Sequence, residues 1–163
     1  MTAALVALGS NLEPRRVHLA AALAELSALP GTRVLAVSQM VETAPVDCPP
    51  GSGPFLNGAV LLETQLHARA LLDELLAIEA RHGRRRLQPH APRTLDLDLL
   101  LHGATRVDEP GLHLPHPRMH RRAFVLGPAA EIAPALRHPV LGRTLAELRD
   151  TLAAGGAEAA CSS

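Results

Sequence analysis

The stretch Pro92-Arg93-Thr94-Leu95-Asp96-Leu97-Asp98-Leu99-Leu100-Leu101 decides the fold of this chain and points to its chemistry. Large apolar residues recur at every second position from Leu95, which predicts a buried strand. Asp96 and Asp98 then share the other face, about 6.5–7 Å apart along the strand. Two carboxylates beside an apolar core are costly unless their charge is compensated. A pair of divalent cations bridged by both side chains would compensate it, and this arrangement serves phosphoryl-type chemistry.

A bare D-x-D pattern also has a simpler interpretation, in which both aspartates lie at a solvated sheet edge or pair with arginines. The residues upstream favour the cations. The basic segment Arg81-His82-Gly83-Arg84-Arg85-Arg86 leads through residues 87–91 into the acidic strand. Arginine binds phosphate oxygens through a planar fork of donors, so arginines beside a carboxylate-held Mg²⁺ would form a polyphosphate site. The alternative for the arginines is a solvated loop or a nucleic-acid patch.

Together these residues resemble the signature of the 6-hydroxymethyl-7,8-dihydropterin pyrophosphokinase family of folate biosynthesis. The resemblance is carried by Gly83-Arg84-x-Arg86 followed by Pro92–Asp98. It covers about residues 1–152, with the blocks in the family's order. The further blocks are Gly9-Ser10-Asn11-Leu12, Phe55-Leu56-Asn57, Leu114-Pro115-His116 and Arg122-Ala123-Phe124.

The resemblance implies transfer of a pyrophosphoryl group from ATP to the hydroxymethyl oxygen of 6-hydroxymethyl-7,8-dihydropterin, with release of AMP. It implies two Mg²⁺ ions as cofactors, held by Asp96 and Asp98. The catalytic residues implied in this way are Arg84, Arg86, Arg93, Asp96 and Asp98. Those implied for ATP binding are Arg84, Arg93, Leu99, His116 and Arg122. Those implied for pterin binding are Thr43, Val46, Phe55, Asn57 and Phe124.

Phe55 and Phe124 are the only aromatic residues of the chain apart from its histidines. In a generic chain both would be assigned to the core. A flat bicyclic ring needs stacking partners, however, and this chain has two to offer. Phe55 follows a Pro- and Gly-rich loop rather than lying within an apolar run, and Phe124 follows two arginines.

Several residues depart from the family's pattern. His90 stands where an aromatic is common, Ala91 replaces a glycine, and Pro117 stands where a tyrosine is common. Further departures are Ala44, Gly111 and His113. These changes are expected to affect loop closure and nucleotide affinity more than the reaction itself. The departures at His90 and Pro117 permit a rival hypothesis, a non-catalytic ferredoxin-like ligand-binding module that has kept the fold and lost turnover.

The composition disfavours several other classes of protein. All sixteen basic residues are arginine, so the Gly-Lys-Ser/Thr of a P-loop kinase and lysine Schiff-base chemistry are excluded. Zero net charge and few aromatics disfavour an RNA-binding sheet or another nucleic-acid partner. The zero net charge also implies no general affinity for a membrane, and no apolar run approaches 18 residues, so neither a membrane partner nor a membrane span is expected. The N-terminus lacks a secretory signal, and Cys48 and Cys161 form no motif, so we expect a cytoplasmic protein. We also expect it to be a monomer.

Hydrophobic periodicity predicts the order β-α-β-β-α-β and therefore an α+β, ferredoxin-like fold. The predicted strands span residues 3–8, 34–37, 56–64 and 95–101, and the predicted helices about 13–29 and 68–82. Two helices should cover one face of a mainly antiparallel sheet, whose other face needs a cover or a ligand. Ser10 or Asn11 is expected to cap the first helix.

The remaining segments are predicted to be loops and C-terminal additions. Residues 43–54 are rich in Pro and Gly and are expected to form a binding loop. A small hairpin near residues 105–114 and a short helix over about 122–128 should follow the strand predicted at residues 95–101. Thr144 and Glu147 form a capping box that opens a last helix. We expect a single pterin pyrophosphokinase domain over residues 1–152 and a frayed tail over 153–163.

Overall fold

The computed structural model of the protein describes residues 1–44, 53–83 and 95–155. Within these ranges the chain forms seven strands and four α-helices. They are β1 (Thr2–Ser10), α1 (Arg15–Ser27), β2 (Thr32–Val37), β3 (Val41–Thr43), β4 (Phe55–Thr64), α2 (Ala68–Arg81), β5 (Asp96–His102), β6 (Val107–Glu109), β7 (Leu112–Leu114), α3 (Ala123–Ile132) and α4 (Leu145–Gly155), with a 3₁₀ turn at Met119–Arg121.

The main sheet has the strand order β2-β4-β1-β5, with every neighbouring pair antiparallel. The short strand β3 pairs with β4 beyond the end of β2, and β6 and β7 form a separate hairpin. This order confirms the predicted ferredoxin-like arrangement, because each central strand lies between two antiparallel neighbours. Among the described residues, β5 forms one edge of the sheet, and β2 and β3 form the other.

Alternation along β1 divides its side chains between two cores. Ala4, Val6 and Leu8 join a core that is covered by α1 and α2. Leu5 and Ala7 point to the opposite face, where they join a second core with residues of α3 and α4. The predicted pair of helices therefore covers one face, and the C-terminal additions cover the other.

Some boundaries differ from the predictions for local physical reasons. The predicted cap at Ser10 or Asn11 is wrong, because β1 extends through Ser10 and α1 begins after Pro14, which makes no side-chain cap bond. Thr144 does cap α4, since its Oγ1 accepts a hydrogen bond from the N–H of Glu147 at 3.2 Å.

Three other segments bear on the sequence predictions. The short strand β3 was missed, while most of the predicted binding loop, residues 45–52, lies outside the described residues. The helix α4 continues to Gly155, three residues into the predicted tail. No helix in the three described ranges is long and apolar enough to cross a membrane.

Candidate active site

The register of β5, β1 and β4 brings polar side chains to both sides of a glycine. Gly9 of β1 pairs with Asp96 on one side and with Asn57 on the other. Two residues along β1, Ala7 pairs with Asp98. Because neighbouring strands lie about 4.8 Å apart, the backbones of Asp96 and Asn57 are about 10 Å apart across the sheet.

Both aspartates lie on the face of the sheet that α3 and α4 cover. Leu97 and Leu99, which alternate with them, belong to the opposite core beneath α1 and α2. Asp96 and Asp98 are half-buried and each makes interactions within the protein. The sequence prediction that they share one face is therefore in agreement with the register. The side chain of Leu99, implied as an ATP contact, is 5% exposed in that opposite core.

The centre of this face is lined by small residues. A Cβ atom built on Gly9 would lie 3.0 Å from Oδ1 of Asn57, closer than nearly all real contacts of such an atom. Any side chain at this position would therefore displace the Asn57 amide. Gly9 and Ala7 together leave the floor between the carboxylates and the amide free of bulky groups.

The strands β3 and β4 bring together three of the residues implied for pterin binding. Thr43 pairs with Phe55, and Oγ1 of Thr43 accepts a hydrogen bond from Nδ2 of Asn57 at 2.8 Å. Phe55 and Asn57 are 9% and 7% exposed. The bond to Thr43 fixes the orientation of a buried amide, which otherwise would have to meet its hydrogen-bonding needs elsewhere. Val46 lies outside the described residues.

The start of α3 contributes a cation and an aromatic ring to the same side of the sheet. Arg122 immediately precedes α3 and is 6% exposed. Its guanidinium carbon lies 5.7 Å from the ring centroid of Phe124, within the range of a cation–π interaction. Phe124 is half-buried and packs against the second core.

His116 lies beside β5, just after β7. Its backbone N–H donates to the carbonyl of Leu100 at 2.9 Å, and its Nδ1 accepts from the N–H of Arg118 at 3.1 Å. Burial lowers the pKa of His116 to about 4, and the charge of Arg122 acts in the same direction, whereas that of Asp96 opposes it. The imidazole is therefore neutral at pH 7 with its proton on Nε2, where it can donate to a phosphate oxygen.

Sequence reasoning missed one buried polar residue that contacts the backbone of the strand with the carboxylates. Glu79 of α2 is 3% exposed, and its Oε2 accepts a hydrogen bond of 2.8 Å from the N–H of Leu97. The sequence analysis assigned no role to Glu79. The available signal was an acidic residue at a position that faces the core, since such a residue needs a buried partner.

The two aspartates suit Mg²⁺ better than a metal that needs a complete protein cage. Within the described ranges, no group of three or more His, Cys, Asp or Glu side chains could hold a metal ion. Mg²⁺ keeps several waters and is commonly bound through one or two carboxylates together with substrate phosphates. Two carboxylates above a floor of Gly9 and Ala7 meet that requirement.

The three arginines implied as catalytic cannot be placed. Arg84, Arg86 and Arg93 lie outside the described residues, as do the departures His90 and Ala91. Their segment joins the end of α2 to the start of β5, so it connects directly to the strand with the carboxylates.

Comparison with known proteins gives the family of the chain. The model of the family 7,8-dihydro-6-hydroxymethylpterin-pyrophosphokinase (HPPK) matches residues 5–134. The chain belongs to this family. It is 48% identical over 143 residues to the 2-amino-4-hydroxy-6-hydroxymethyldihydropteridine pyrophosphokinase of Pseudomonas aeruginosa. This match covers 88% of the present chain and 87% of the relative. The protein of the same name from Methylorubrum extorquens is 40% identical over 158 residues, 97% of this chain and 98% of that one.

Solved structures of low sequence identity also support the HPPK fold. The Plasmodium falciparum HPPK-DHPS wild type, solved with pteroate, matches with a TM-score of 0.72 at 13% identity. The match covers 92% of this chain and 44% of that longer chain, so the present protein spans less than half of it.

Proposed function

We infer that this HPPK family member transfers a pyrophosphoryl group from ATP to the hydroxymethyl oxygen of 6-hydroxymethyl-7,8-dihydropterin, in folate biosynthesis. The products are the pterin diphosphate and AMP. The observation that carries this inference is the pairing of Gly9 with both Asp96 and Asn57 in a chain of this family. It sets an acidic pair for a metal–polyphosphate group beside a buried amide suited to a heterocycle.

For the nucleotide, we propose that Asp96 and Asp98 hold two Mg²⁺ ions. Such ions, when bound, would supply positive charge that offsets the charge of the phosphates during the transfer. The neutral imidazole of His116 would donate from Nε2 to a phosphate oxygen, and Arg122 would contribute a fixed positive charge nearby. Arg84, Arg86 and Arg93 would bind the remaining phosphate oxygens, and Leu99 would contact the nucleotide.

For the pterin, we propose that Phe55 and Phe124 stack on the two faces of the ring and that Asn57 bonds to its edge. The bond from Asn57 to Thr43 supports this role, because it holds the amide in one orientation while leaving it further donor and acceptor capacity. Backbone groups of Thr43 and Val46 would complete the contacts. Two aromatic rings and one fixed amide are sufficient to orient a flat bicyclic substrate.

In the transfer, the hydroxymethyl oxygen bonds to the β-phosphorus while the bond from the β-phosphorus to the α,β-bridging oxygen breaks, so AMP leaves with the bridging oxygen. The hydroxyl proton passes to Asp98 or to water. Alignment of the two substrates and neutralisation of the phosphates then provide the main catalytic effect, as in other phosphoryl-type transfers. We also propose that the protein acts as a cytoplasmic monomer, without a nucleic-acid or membrane partner.

The products of the reaction test this function. Purified protein is incubated with ATP and Mg²⁺, with and without the hydroxymethylpterin, and the nucleotides and pterins are separated by chromatography. We expect AMP and pterin diphosphate in equal amounts, and only when the pterin is present. If calorimetry shows that MgATP and the pterin bind but no AMP forms, the non-catalytic binding module is the better explanation.

A further inference from the structure

Glu79 occupies a position where a charged side chain is costly. It belongs to the buried face of α2, together with Leu71, Leu75 and Ile78. Its side chain lies in the interior and is 3% exposed. A buried carboxylate is tolerated when it accepts hydrogen bonds from groups that are fixed in place. The N–H of Leu97 is such a group.

Leu97 lies between the two proposed metal ligands in β5. This strand forms one edge of the sheet and pairs only with β1 among the described strands. Two contacts hold it on the side away from the sheet. The N–H of Leu97 donates to Oε2 of Glu79 at 2.8 Å, and the carbonyl of Leu100 accepts from the N–H of His116 at 2.9 Å.

The bond from Glu79 fixes the peptide that joins Asp96 to Leu97. Rotation of this peptide would turn the side chain of Asp96 and shift Asp98 relative to it. Carboxylates that hold a metal ion must keep their oxygens at defined positions, so a small rotation would be sufficient to disturb them. Groups that orient metal ligands without touching the metal typically change affinity or activity by about 10–100-fold when removed.

We propose that Glu79 is a positioning residue for the pyrophosphoryl transfer, which holds the Leu97 peptide and thereby the orientation of Asp96 and Asp98. This proposal rests on the proposed metal role of the two aspartates. Glu79 acts through the hydrogen bond that its side-chain length allows it to make with Leu97, and not through its negative charge.

Three substitutions of Glu79 separate the effect of side-chain length from the effect of charge. Glu79→Gln keeps the length and an acceptor oxygen but removes the charge. Glu79→Asp keeps the charge but withdraws the oxygens by about 1.5 Å, beyond hydrogen-bond distance from Leu97. Glu79→Leu removes both. Leu71→Ala is the matched control, because Leu71 is wholly buried in the same core, on α2, two turns away from Glu79.

Each variant is examined well below its thermal midpoint for kcat, for Mn²⁺ affinity with α,β-methylene-ATP by electron paramagnetic resonance, and for exchange of the Leu97 amide by NMR. We expect Glu79→Asp and Glu79→Leu to weaken Mn²⁺ binding and lower kcat by about tenfold or more, with faster amide exchange. Glu79→Gln should stay within about threefold of the wild type, as should Leu71→Ala.

The proposal is overturned if Glu79→Asp equals or exceeds Glu79→Gln in Mn²⁺ affinity and kcat, or if Leu71→Ala shows the same losses. Should Glu79→Leu fail to fold, the comparison of Asp with Gln decides alone. A wild-type protein that forms no AMP would instead overturn the proposed function. The two failures are therefore distinguishable.

Discussion

The imidazole of His116 titrates unlike a free histidine, because burial and the nearby guanidinium of Arg122 disfavour its protonated form. Its pKa of about 4 in the folded protein lies below the ordinary value of 6.5. Between these pH values the unfolded chain therefore binds more protons than the folded one. The contribution of His116 to stability is present above pH 6.5 and is lost as the pH falls to 4.

This difference predicts a pH-dependent effect of one substitution. Between pH 6.5 and pH 4, His116→Gln should lose less free energy of unfolding than the wild type, by about 3 kcal/mol at most. Urea denaturation at a series of pH values measures both proteins. Identical pH dependence of the wild type and the variant would show that His116 does not carry this effect.

Phe124 and Phe55 give a second prediction at the level of residues. If both stack on the pterin, Phe124→Ala removes buried area and about 0.5–1.5 kcal/mol of ring attraction, so pterin affinity should fall at least about tenfold. Phe55→Ala should act in the same direction and more mildly. The affinity for the magnesium complex of an ATP analogue should change far less.

Calorimetric titration with the pterin, in the presence of a non-hydrolysable ATP analogue, measures this effect. The thermal midpoint of each variant is the control for folding. Unchanged pterin affinity together with a collapsed midpoint would mean that both phenylalanines are core residues and that the stacking is wrong.

The arginines before β5 differ in their match to the family pattern. Arg93→Ala should slow catalysis strongly, because a phosphate contact that acts in the transition state is worth about 3 kcal/mol. Arg85→Ala is the matched control and should have little effect, since Arg85 lies off the pattern. Steady-state kcat measures both. Equal losses would indicate that the segment acts only through its general positive charge.

At the level of elements, α3 and α4 complete the site by covering the second face of the sheet. α3 carries Phe124 and α4 packs against it, with Leu145 wholly buried in the second core. Leu145→Ala should therefore lower the free energy of unfolding by about 2–5 kcal/mol.

Urea denaturation measures the effect of Leu145→Ala. Val17→Ala on α1 is the control, because Val17 is 62% exposed and should change stability by about 0.5 kcal/mol or less. A loss at Leu145 no larger than that at Val17 would show that α4 contributes little to the packing of this face.

The elements that the sequence predicted well are those with strong periodicity. β1, β4 and β5 alternate or form apolar runs, and α2 has a clear apolar stripe that ends at Gly83, whose φ of +80° suits glycine. The sequence did not predict β3, because its three residues before a Pro-rich segment are too few to show an alternation of apolar and polar side chains. α3 continues past Pro128 to Ile132, since packing against β4 outweighs the local preference to stop.

At the scale of the whole molecule, the candidate site depends on contacts between elements that are distant in sequence. The local sequence pattern does not reveal such contacts. The shared face of Asp96 and Asp98 follows from the period of a strand and was predictable. The pairing of Gly9 with both Asp96 and Asn57 depends on the register of three strands that are distant in sequence. The neutral state of His116 and the bond of Glu79 to β5 likewise arise only when separate elements pack together.

The prediction of one domain over residues 1–152 also belongs to this scale. One sheet supports both cores, and α4 closes the second of them at Leu148. Limited proteolysis should therefore leave residues 1–152 as one fragment, and a stable shorter fragment would contradict the prediction.

The central claim is that the half-buried carboxylates of β5 serve the pyrophosphoryl transfer by holding Mg²⁺. Its most direct test is the rate of pterin-dependent AMP formation by Asp96→Asn and Asp98→Asn, with the thermal midpoint as the control for folding. Each substitution removes a charged ligand but keeps the side-chain shape, so turnover should nearly disappear while the midpoint stays close to that of the wild type. Retention of more than about a tenth of the wild-type rate by both variants would contradict the metal assignment.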